Sequence, residues 1–559
     1  MGSEQLTDEE AKRLRAATGV VVVAAIVSFI RGVPGDLIRS WGDGPWIVRN
    51  EAVHQVSWEG FASFFGGPLY GSYRPLHFLS YWLDVPWFGA RGPSMHAVSL
   101  ALWCLALVFF LRALRAWGLT LVAATIGTLV VGLHPIQVEA VTWASGRSAV
   151  LAVLFASLAL LFHAKTTNVR SKSAWGSRLC VLLAVLCDPN ALALPLVLLF
   201  GDVYLRGFDW KTALLAQLPV AGVIVACAYV MFRIGPAADA AAESGPLVTR
   251  VAATTTHALE TLFWPAHVSP VYRTGHLETL GARVWTGPLI LMAALAFAWA
   301  RKNKAFSFVA LSFIALLLPV MNLWLVPFLW LDRYLVLPLL ALGFGVALLV
   351  NAFPRTNTKS EWPRVPVLAA ASVVLVALGV RTSLYTAVWR NDGTLWRYAV
   401  DAQPNAFHAW YNLGIFRRDR GDFAGALDAF TRATELEPRQ RLGFSGLMSA
   451  LAMRDEVRHG LPRSQALRLA QLYAEQLDNI DSLHDLAERM LETGYQDAAY
   501  LPLSQWMDAH PVDDDRLERA AQVRVRLHDA PLARFYVSRM HRAPVPPELQ
   551  ALRVRQIPR

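Results

Sequence analysis

The sequence contains little charge for its length. Of its 559 residues, 17% are Asp, Glu, Lys or Arg, whereas about a quarter of a typical soluble protein is charged. Hydrophobic residues make up 55% of the chain, and many of them form runs close to the ~20 residues that cross a lipid bilayer. This composition excludes an ordinary soluble enzyme and predicts a membrane protein.

Cysteine is also scarce. The four cysteines, Cys104, Cys180, Cys187 and Cys227, all lie in or beside apolar runs. They form neither a Cys-x-x-Cys pair nor a Cys/His spacing typical of a metal site. We therefore expect no disulfide framework and no structural zinc. We also expect no other metal site and no bound cofactor.

Acidic residues are outnumbered, and the formal net charge is +10. In a soluble protein this excess would suggest a nucleic-acid partner. Here the basic residues cluster in short loops between apolar runs, which is the pattern that orients membrane proteins. We therefore expect a lipid bilayer, and no nucleic acid, as the partner of the basic residues.

The apolar runs predict about eleven membrane spans between residues 16 and 380. They cover residues 16–30, 95–114, 119–133, 148–162, 179–186, 191–205, 212–231, 285–300, 305–321, 331–353 and 365–380. The first run follows Lys12, Arg13 and Arg15 as in a signal peptide, but no small-residue cleavage site comes after it. We therefore expect it to remain as an uncleaved span.

The basic residues also predict the orientation of the chain. If the N-terminus is cytoplasmic, every loop rich in Lys or Arg falls on the cytoplasmic side. Eleven spans then place the long loop 31–93 and the chain after residue 388 on the periplasmic or lumenal side. The spans and the basic loops together predict a multi-pass membrane protein, and we expect it in the bacterial inner membrane.

After Trp389 the sequence becomes polar and a helical repeat begins. Small and aromatic residues match a tetratricopeptide unit of about 34 residues at Trp410, Leu413, Gly414, Gly421, Ala426, Phe430, Ala433 and Pro438. A second copy fits Ala487, Gly494, Ala499 and Pro511, and Ala521 and Ala533 suggest a third. The predicted fold is all-α, with a polytopic membrane domain over 1–388 and a soluble helical solenoid over 389–559. The concave face of such a solenoid would bind a protein or peptide.

Four polar clusters fall on the predicted outer side of the membrane. They are Trp41-Gly42-Asp43-Gly44, the segment 70–76 with Arg74, the segment 134–139 closed by Arg147, and Asp332-Arg333-Tyr334. Arginine offers a planar, permanently charged group to phosphate, and a nearby carboxylate can take a proton from an attacking hydroxyl. Arginines and a carboxylate near the membrane–water boundary predict that the substrate is a phosphate-bearing lipid.

Each cluster also has a structural interpretation. The alternatives are a turn at Asp43, headgroup anchors at Arg74 and Arg147, a helix stop at His134-Pro135, and a paired helix cap at Asp332 and Arg333.

In chain order, these and further short motifs resemble one family. The motifs are Trp41-Gly42-Asp43, Ile47-Val48-Arg49-Asn50, Ser57-Trp58, Tyr73-Arg74-Pro75-Leu76, His134-Pro135 with Glu139-Ala140-Val141, Gly146-Arg147, Leu194-Pro195, Asp332-Arg333-Tyr334-Leu335, Leu395-Trp396 and Tyr411-Asn412-Leu413-Gly414. The family is that of the transmembrane and tetratricopeptide-repeat protein O-mannosyltransferases and their bacterial relatives, which have the GT-C membrane glycosyltransferase fold.

The resemblance implies an enzyme that transfers a sugar from a polyprenyl-phosphate carrier to a hydroxyl acceptor, expected on a protein, on the non-cytoplasmic face. Asp43 corresponds to the loop acid of the family and is the candidate general base. The candidate substrate-binding residues are Arg74, Arg147 and Arg333 for the donor phosphate, with His134, Glu139 and Asp332 beside them. The resemblance implies no metal requirement.

Several family positions are changed here. Gly42 and Gly44 flank Asp43 in place of further acids, Gln137 replaces a histidine, Ala149 replaces an acid, and Asp188-Pro189 replaces a Lys-Glu pair. These changes leave open a catalytically degenerate scaffold that assembles protein partners through its repeats. A transporter is a third alternative, although the sequence has no clear inverted repeat.

Overall fold

The computed structural model describes residues 7–67, 69, 73–233, 246–272, 277–321, 330–353, 365–437, 530–540 and 547–550, with isolated positions between 446 and 525. The chain folds as two compact units, Met1–Pro404 and Asn405–Arg559. Every regular element in these described ranges is a helix, which confirms the all-α prediction.

The first unit contains sixteen described α-helices. They are α1 (Asp8–Phe29), α2 (Trp58–Phe65), α3 (Pro75–Phe88), α4 (Gly92–Ala116), α5 (Leu121–Leu133), α6 (Gln137–Thr142), α7 (Arg147–Ala164), α8 (Lys172–Cys187), α9 (Leu194–Phe200), α10 (Trp210–Arg233), α11 (Leu247–Phe263), α12 (Thr286–Ala300), α13 (Lys304–Leu317), α14 (Val336–Ala352), α15 (Val365–Val388) and α16 (Asp392–Ala402).

Six helical segments among the described residues are long and apolar enough to cross a bilayer. They are Asp8–Gly32, Gly92–Ala116, Ala144–Ala164, Gly281–Ala300, Asp332–Ala352 and Val365–Val388. A bent pair, Trp210–Gly222 with Ile224–Val230, would make a seventh, and Leu121–Leu133 and Lys304–Val320 are shorter apolar helices. The chain is therefore a multi-pass membrane protein. The count of eleven spans and the orientation derived from it stay predictions.

Helix α7 is the most buried of these segments. It packs against α3, α4, α8, α9 and α14, and its first eight residues, from Arg147 to Leu154, are all buried. An arginine at the first position of such a helix must find polar partners inside the protein. The start of α7 therefore combines charge with burial.

The loop before α4 folds into short helices that share a small core. This core contains Leu37, Ile47, Val53, Phe64, Phe78, Tyr81, Val85, Met95 and Ala144. On their other sides, α2 exposes Trp58 and α3 exposes Trp87. The two helices are thus amphipathic, with one side on the core and the other outside it.

The second unit begins with a helical hairpin, α17 (Phe407–Asp419) and α18 (Phe423–Leu436). Leu413, Ala426 and Phe430 are buried as the repeat pattern predicts. A Cβ atom on Gly414 would lie 2.7 Å from the Phe430 ring, so the hairpin requires glycine for this close approach. Of the later repeat positions, Ala487, Ala499, Ala521 and Ala533 are buried. Pro438 of the first repeat, and Gly494 and Pro511 of the second, lie outside the described residues.

Candidate active site

A buried turn at the start of α7 contacts four charged residues from other parts of the chain. We call residues 143–148 the 143–148 turn; all six are buried. Its contacts are Trp143 with Arg333, Ser145 with Asp43, Arg147 with Asp84, and Ser148 with Arg74. The turn therefore brings Asp43 and all three predicted arginines into one cluster.

Asp43 is fully buried, and its carboxylate accepts three hydrogen bonds. Oδ2 accepts one from the backbone N–H of Ile38 at 2.8 Å. Oδ1 accepts two from Ser145, at 2.9 Å from the backbone N–H and 2.5 Å from the hydroxyl. Burial raises the pKa of Asp43 to about 7, although the three hydrogen bonds oppose the rise. This carboxyl can therefore gain or lose its proton near neutral pH.

The glycines on either side of Asp43 allow its loop to pack closely. A Cβ atom on Gly42 would lie 2.7 Å from the Trp143 ring, and one on Gly44 would lie 2.2 Å from the carbonyl oxygen of Arg39. Acidic side chains at these positions would not fit unless the loop moved. The Gly-Asp-Gly sequence is therefore a packing feature of this loop.

Arg147 forms a buried ion pair. Its Nη1 donates to Oδ2 of Asp84 at 2.5 Å, its Nη2 to the carbonyl of Met95 at 3.1 Å, and its Nε to the hydroxyl of Ser99 at 3.2 Å. The guanidinium also lies 4.8 Å from the centre of the Tyr81 ring. Every nitrogen of this guanidinium thus has a protein partner, which fixes the start of α7 against α3 and α4.

Arg74 is the more accessible arginine, with 14% of its side chain exposed. Its Nη1 donates to the hydroxyl of Ser148 at 3.3 Å and lies 3.9 Å from Oδ2 of Asp188. The Ser148 hydroxyl donates to that same carboxylate oxygen at 2.9 Å. The Nε of Arg74 is buried and has no hydrogen-bond partner among the described residues, so the described part of the protein leaves this donor unused.

Arg333 and Glu139 form a second ion pair. The guanidinium and the backbone N–H of Arg333 both donate to the Glu139 carboxylate, the latter at 2.9 Å. The guanidinium lies 5.1 Å from the centre of the Trp143 ring. Asp332 has a different partner, since its Oδ1 accepts from the Tyr272 hydroxyl at 2.5 Å. Asp332 therefore pairs with Tyr272 and Arg333 with Glu139, whereas the structural alternative paired Asp332 with Arg333 as a helix cap.

No described contact joins His134 to the arginines. Helix α5 ends just before it, and the ring's Nε2 lies 3.0 Å from the carbonyl oxygen of Leu262. The backbone N–H of Ile136 donates to Nδ1 at 3.3 Å. Burial lowers the pKa of His134 to about 4, so the ring is neutral at physiological pH. These contacts fit the helix-stop interpretation of this residue.

Sequence reasoning did not pair Arg147 with Asp84, which it never singled out, or Arg74 with Asp188, which it named only as a changed family position. A signal was available, because Asp84 occurs within an apolar helix and Asp188 directly follows an apolar run. A carboxylate in that setting is costly unless a cation or hydrogen-bond donors accompany it. The sequence could thus have predicted a buried partner, but it does not say which arginine would be that partner.

The carboxylates of the cluster are matched to arginines or to hydrogen-bond donors. In the part of the chain that the structure describes, no three His, Cys, Asp or Glu side chains come together to hold a metal ion. What this arrangement can do is bind an anion at Arg74 and exchange a proton at Asp43.

These observations define the class of the protein, an all-helical, multi-pass membrane protein that buries a cluster of arginines and carboxylates at the start of α7. No protein-family model matches the sequence. The chain is 23% identical over 433 residues to the human protein O-mannosyl-transferase TMTC3, covering 67% of this chain and 46% of that relative. The mouse TMTC3 is 22% identical over 428 residues, with the same coverage.

A third relative, the mouse protein O-mannosyl-transferase TMTC1, is 30% identical over 167 residues, or 27% of this chain and 17% of its own length. These homologues confirm the family resemblance that the motifs predicted. The chain spans about half the length of the two TMTC3 relatives, at 46% of each.

Proposed function

We propose that the protein is a glycosyltransferase that moves a sugar from a polyprenyl-phosphate carrier to a hydroxyl group of a protein on the non-cytoplasmic face. The names of the relatives support protein O-mannosylation as the class of reaction. One observation carries the proposal: the 143–148 turn gathers Asp43 and three arginines from separate segments of the chain.

In the proposed reaction, the donor phosphate binds Arg74, whose Nε is unpaired among the described residues, and Arg333, whose side chain is 9% exposed. The acceptor oxygen attacks the anomeric carbon, and the bond from that carbon to the phosphate oxygen breaks. The leaving polyprenyl phosphate gains a negative charge, which the arginines stabilise. Arg147 holds the turn in place through Asp84.

Asp43 takes the proton of the acceptor hydroxyl. A pKa near 7 suits a general base at neutral pH, because the group is then partly ionised and still basic. In the structure the Ser145 hydroxyl donates a hydrogen bond to Oδ1 of Asp43. The hydroxyl group of the protein that receives the sugar is expected to donate to Asp43 in the same way. We therefore expect the loop 38–43 to move away from Ser145 when the acceptor binds.

Replacement of Asp43 by Asn tests this assignment. We expect Asp43→Asn to lower sugar transfer from polyprenyl-phosphate-linked mannose by about 100-fold or more, because an amide cannot accept the proton. Transfer to a hydroxyl-bearing peptide is measured with the purified full-length protein. Asp36→Asn is the matched control, because Asp36 is an exposed acid of the same loop and its loss should leave transfer unchanged.

A folding control is needed because Asp43→Asn removes part of the hydrogen bonding to Ile38 and Ser145. Thermal unfolding of each variant therefore accompanies the transfer assay. If folded Asp43→Asn protein transfers sugar at the wild-type rate, Asp43 is not the base. Loss of transfer in Asp188→Asn protein alone would assign that role to the acid beside Arg74.

One observation favours the scaffold as a second candidate function. Arg147 and Arg333 are already neutralised by Asp84 and Glu139, so part of the cluster is satisfied without a ligand. In this case the repeats of the second unit would assemble protein partners while the first unit anchors them. A wild-type protein that forms a stable complex but transfers no sugar would favour this function over the enzyme.

A further inference from the structure

A cavity of about 300 Å³ lies at the opposite end of α7 from the 143–148 turn. His163, the penultimate residue of α7, lines it, whereas Arg147 begins the same helix. A helix of 18 residues is about 27 Å long, close to the hydrophobic thickness of a membrane. The cavity and the candidate active site therefore lie at opposite ends of the bundle.

A closed network of polar groups forms one wall of the cavity. The Nε2 of His163 lies 3.0 Å from Oδ1 of Asp202, and Nη1 of Arg206 donates to the same oxygen at 3.0 Å. The Nη2 of Arg206 donates to the carbonyl of Thr166 at 2.6 Å. His163 and Asp202 are buried, while 21% of the Arg206 side chain is exposed. The network holds Arg206 at the cavity while its charge is balanced by Asp202.

Arg178 lines the cavity from α8. Its Nη2 donates to the carbonyl of Ala216 at 3.2 Å, and its guanidinium lies 4.9 Å from the centre of the Trp175 ring. These described contacts are with a neutral carbonyl and an aromatic ring, so the positive charge of Arg178 is available to an anion. The remaining nitrogens of its guanidinium can donate to phosphate oxygens.

The two chain segments that supply most of the cavity lining are rich in basic residues. The segments 163–178 and 201–212 contain six basic residues, Lys165, Arg170, Lys172, Arg178, Arg206 and Lys211, against two acids, Asp202 and Asp209. Thr167 and Asn168 line the mouth and are exposed. An anion can therefore enter from solvent or from the membrane surface into a field of excess positive charge.

Exposed aromatic residues occur in the same two segments, and one of them, Phe208, lines the cavity. Trp175, Phe208 and Trp210 are exposed, and they lie beside the ends of the apolar helices α8 and α10. Exposed tryptophans together with basic residues at helix ends are typical of the membrane–water interface. Basic pockets between membrane helices bind the headgroups of anionic lipids.

We propose that this cavity binds the phosphate headgroup of an anionic phospholipid, with Arg178 as the main phosphate-binding residue. A soluble phosphate compound shares the same chemistry, but it would gain nothing from the exposed aromatic residues. The network of His163, Asp202 and Arg206 positions the wall against which the headgroup binds. The site is independent of the proposed sugar transfer.

The experiment uses full-length protein purified in detergent and titrated with phosphatidylglycerol or with phosphatidylcholine. Retained lipid is measured by native mass spectrometry and stabilisation by thermal unfolding. We expect phosphatidylglycerol to be retained and to raise the unfolding temperature, and phosphatidylcholine to do neither. Arg178→Gln should weaken phosphatidylglycerol binding about tenfold, the equivalent of one charge-assisted hydrogen bond. Arg301→Gln, at an exposed arginine after α12, is the control that keeps wild-type binding.

Equal retention of both lipids, or undiminished phosphatidylglycerol binding by Arg178→Gln protein, would overturn the proposal. Inorganic phosphate is the third arm; if it stabilises the protein as much as phosphatidylglycerol does, the ligand is soluble and the lipid assignment is wrong. If Arg178→Gln protein does not fold, Thr167→Trp blocks the exposed mouth without removing charge. Unchanged lipid binding by that variant would also contradict the proposal.

Discussion

Ser145 donates two hydrogen bonds to one oxygen of Asp43, one from its backbone and one from its hydroxyl. Both bonds favour the ionised carboxylate, whereas burial favours the protonated form. The pKa of Asp43 near 7 is the outcome of this opposition. Of the two hydrogen bonds from Ser145, only the one from the hydroxyl can be removed by a substitution that leaves the backbone unchanged.

We expect Ser145→Ala to raise the pKa of Asp43 above 7, because the ionised form loses a donor. A general base must be ionised, so transfer falls as the pH drops through its pKa. The acidic limb of the pH–rate profile should therefore move to higher pH in this variant, with a severalfold loss of rate at pH 7. The measurement is the transfer rate between pH 5 and pH 9.

Ser148→Ala is the control for this experiment, because Ser148 is equally buried but bonds to Arg74 and Asp188. Its acidic limb should keep the wild-type position even if its rate falls. An acidic limb that stays in place in Ser145→Ala protein would show that Asp43 is not the group that titrates.

At the scale of single residues, the sequence selects charged side chains that the fold brings together, but it does not predict their partners. Asp43, Arg74, Arg147 and Arg333 all contact the 143–148 turn or belong to it. Asp84, however, is 63 positions from Arg147, and nothing local in the sequence links the two. Such pairs depend on how the helices pack, which a pattern of hydropathy does not contain.

At the scale of elements, the end of α5 shows how helices are joined in this bundle. Pro135 cannot continue the helix, and the carbonyl of Leu133 is left without its helical partner. The hydroxyl of Thr382 on α15 donates to that carbonyl at 2.6 Å. One turn further along α15, the buried hydroxyl of Thr386 has no partner among the described residues.

Replacing each of these threonines by valine in turn distinguishes the contribution of the Thr382 hydrogen bond to stability from the contribution of side-chain packing. We expect Thr382→Val to destabilise the protein by about 1 kcal/mol, because the Leu133 carbonyl loses its donor. Thr386→Val keeps the shape and removes a hydroxyl without a described partner, so it should be neutral or slightly stabilising. Thermal unfolding in detergent compares the two, and equal losses of stability would contradict the assigned role of Thr382.

Helix α7 shows why predicted and observed bounds differ. The hydropathy pattern predicts a span from residue 148, because Arg147 interrupts the apolar run. The helix nevertheless begins at Arg147, since Asp84, Ser99 and Met95 satisfy its guanidinium inside the protein. A hydropathy pattern treats every arginine as solvated, and it therefore leaves out an arginine whose charge is paired inside the protein.

At the scale of the whole molecule, the two compact units suggest a division of labour. The charged cluster belongs to the first unit, and the helical hairpin of α17 and α18 belongs to the second. If the repeats bind the protein acceptor, damage to the hairpin should affect protein substrates selectively and leave the chemical step intact.

Gly414→Val tests this division. The new side chain would collide with the Phe430 ring, and overpacking of this kind costs about 1–3 kcal/mol. We expect transfer to a full protein acceptor to fall at least severalfold, while transfer to a short hydroxyl-bearing peptide persists. Ala424→Val, at an exposed position of the same hairpin, should preserve both activities. Parallel loss with both acceptors in Gly414→Val protein would argue against a separate acceptor-binding unit.

The 143–148 turn has a consequence for how this molecule can change over evolutionary time. Because its side chains meet four charged groups at once, substitutions in it are coupled and their effects do not add. A substitution that displaces this segment disturbs the acid and the arginines together. The cost of a second change in this segment therefore depends on which change came first.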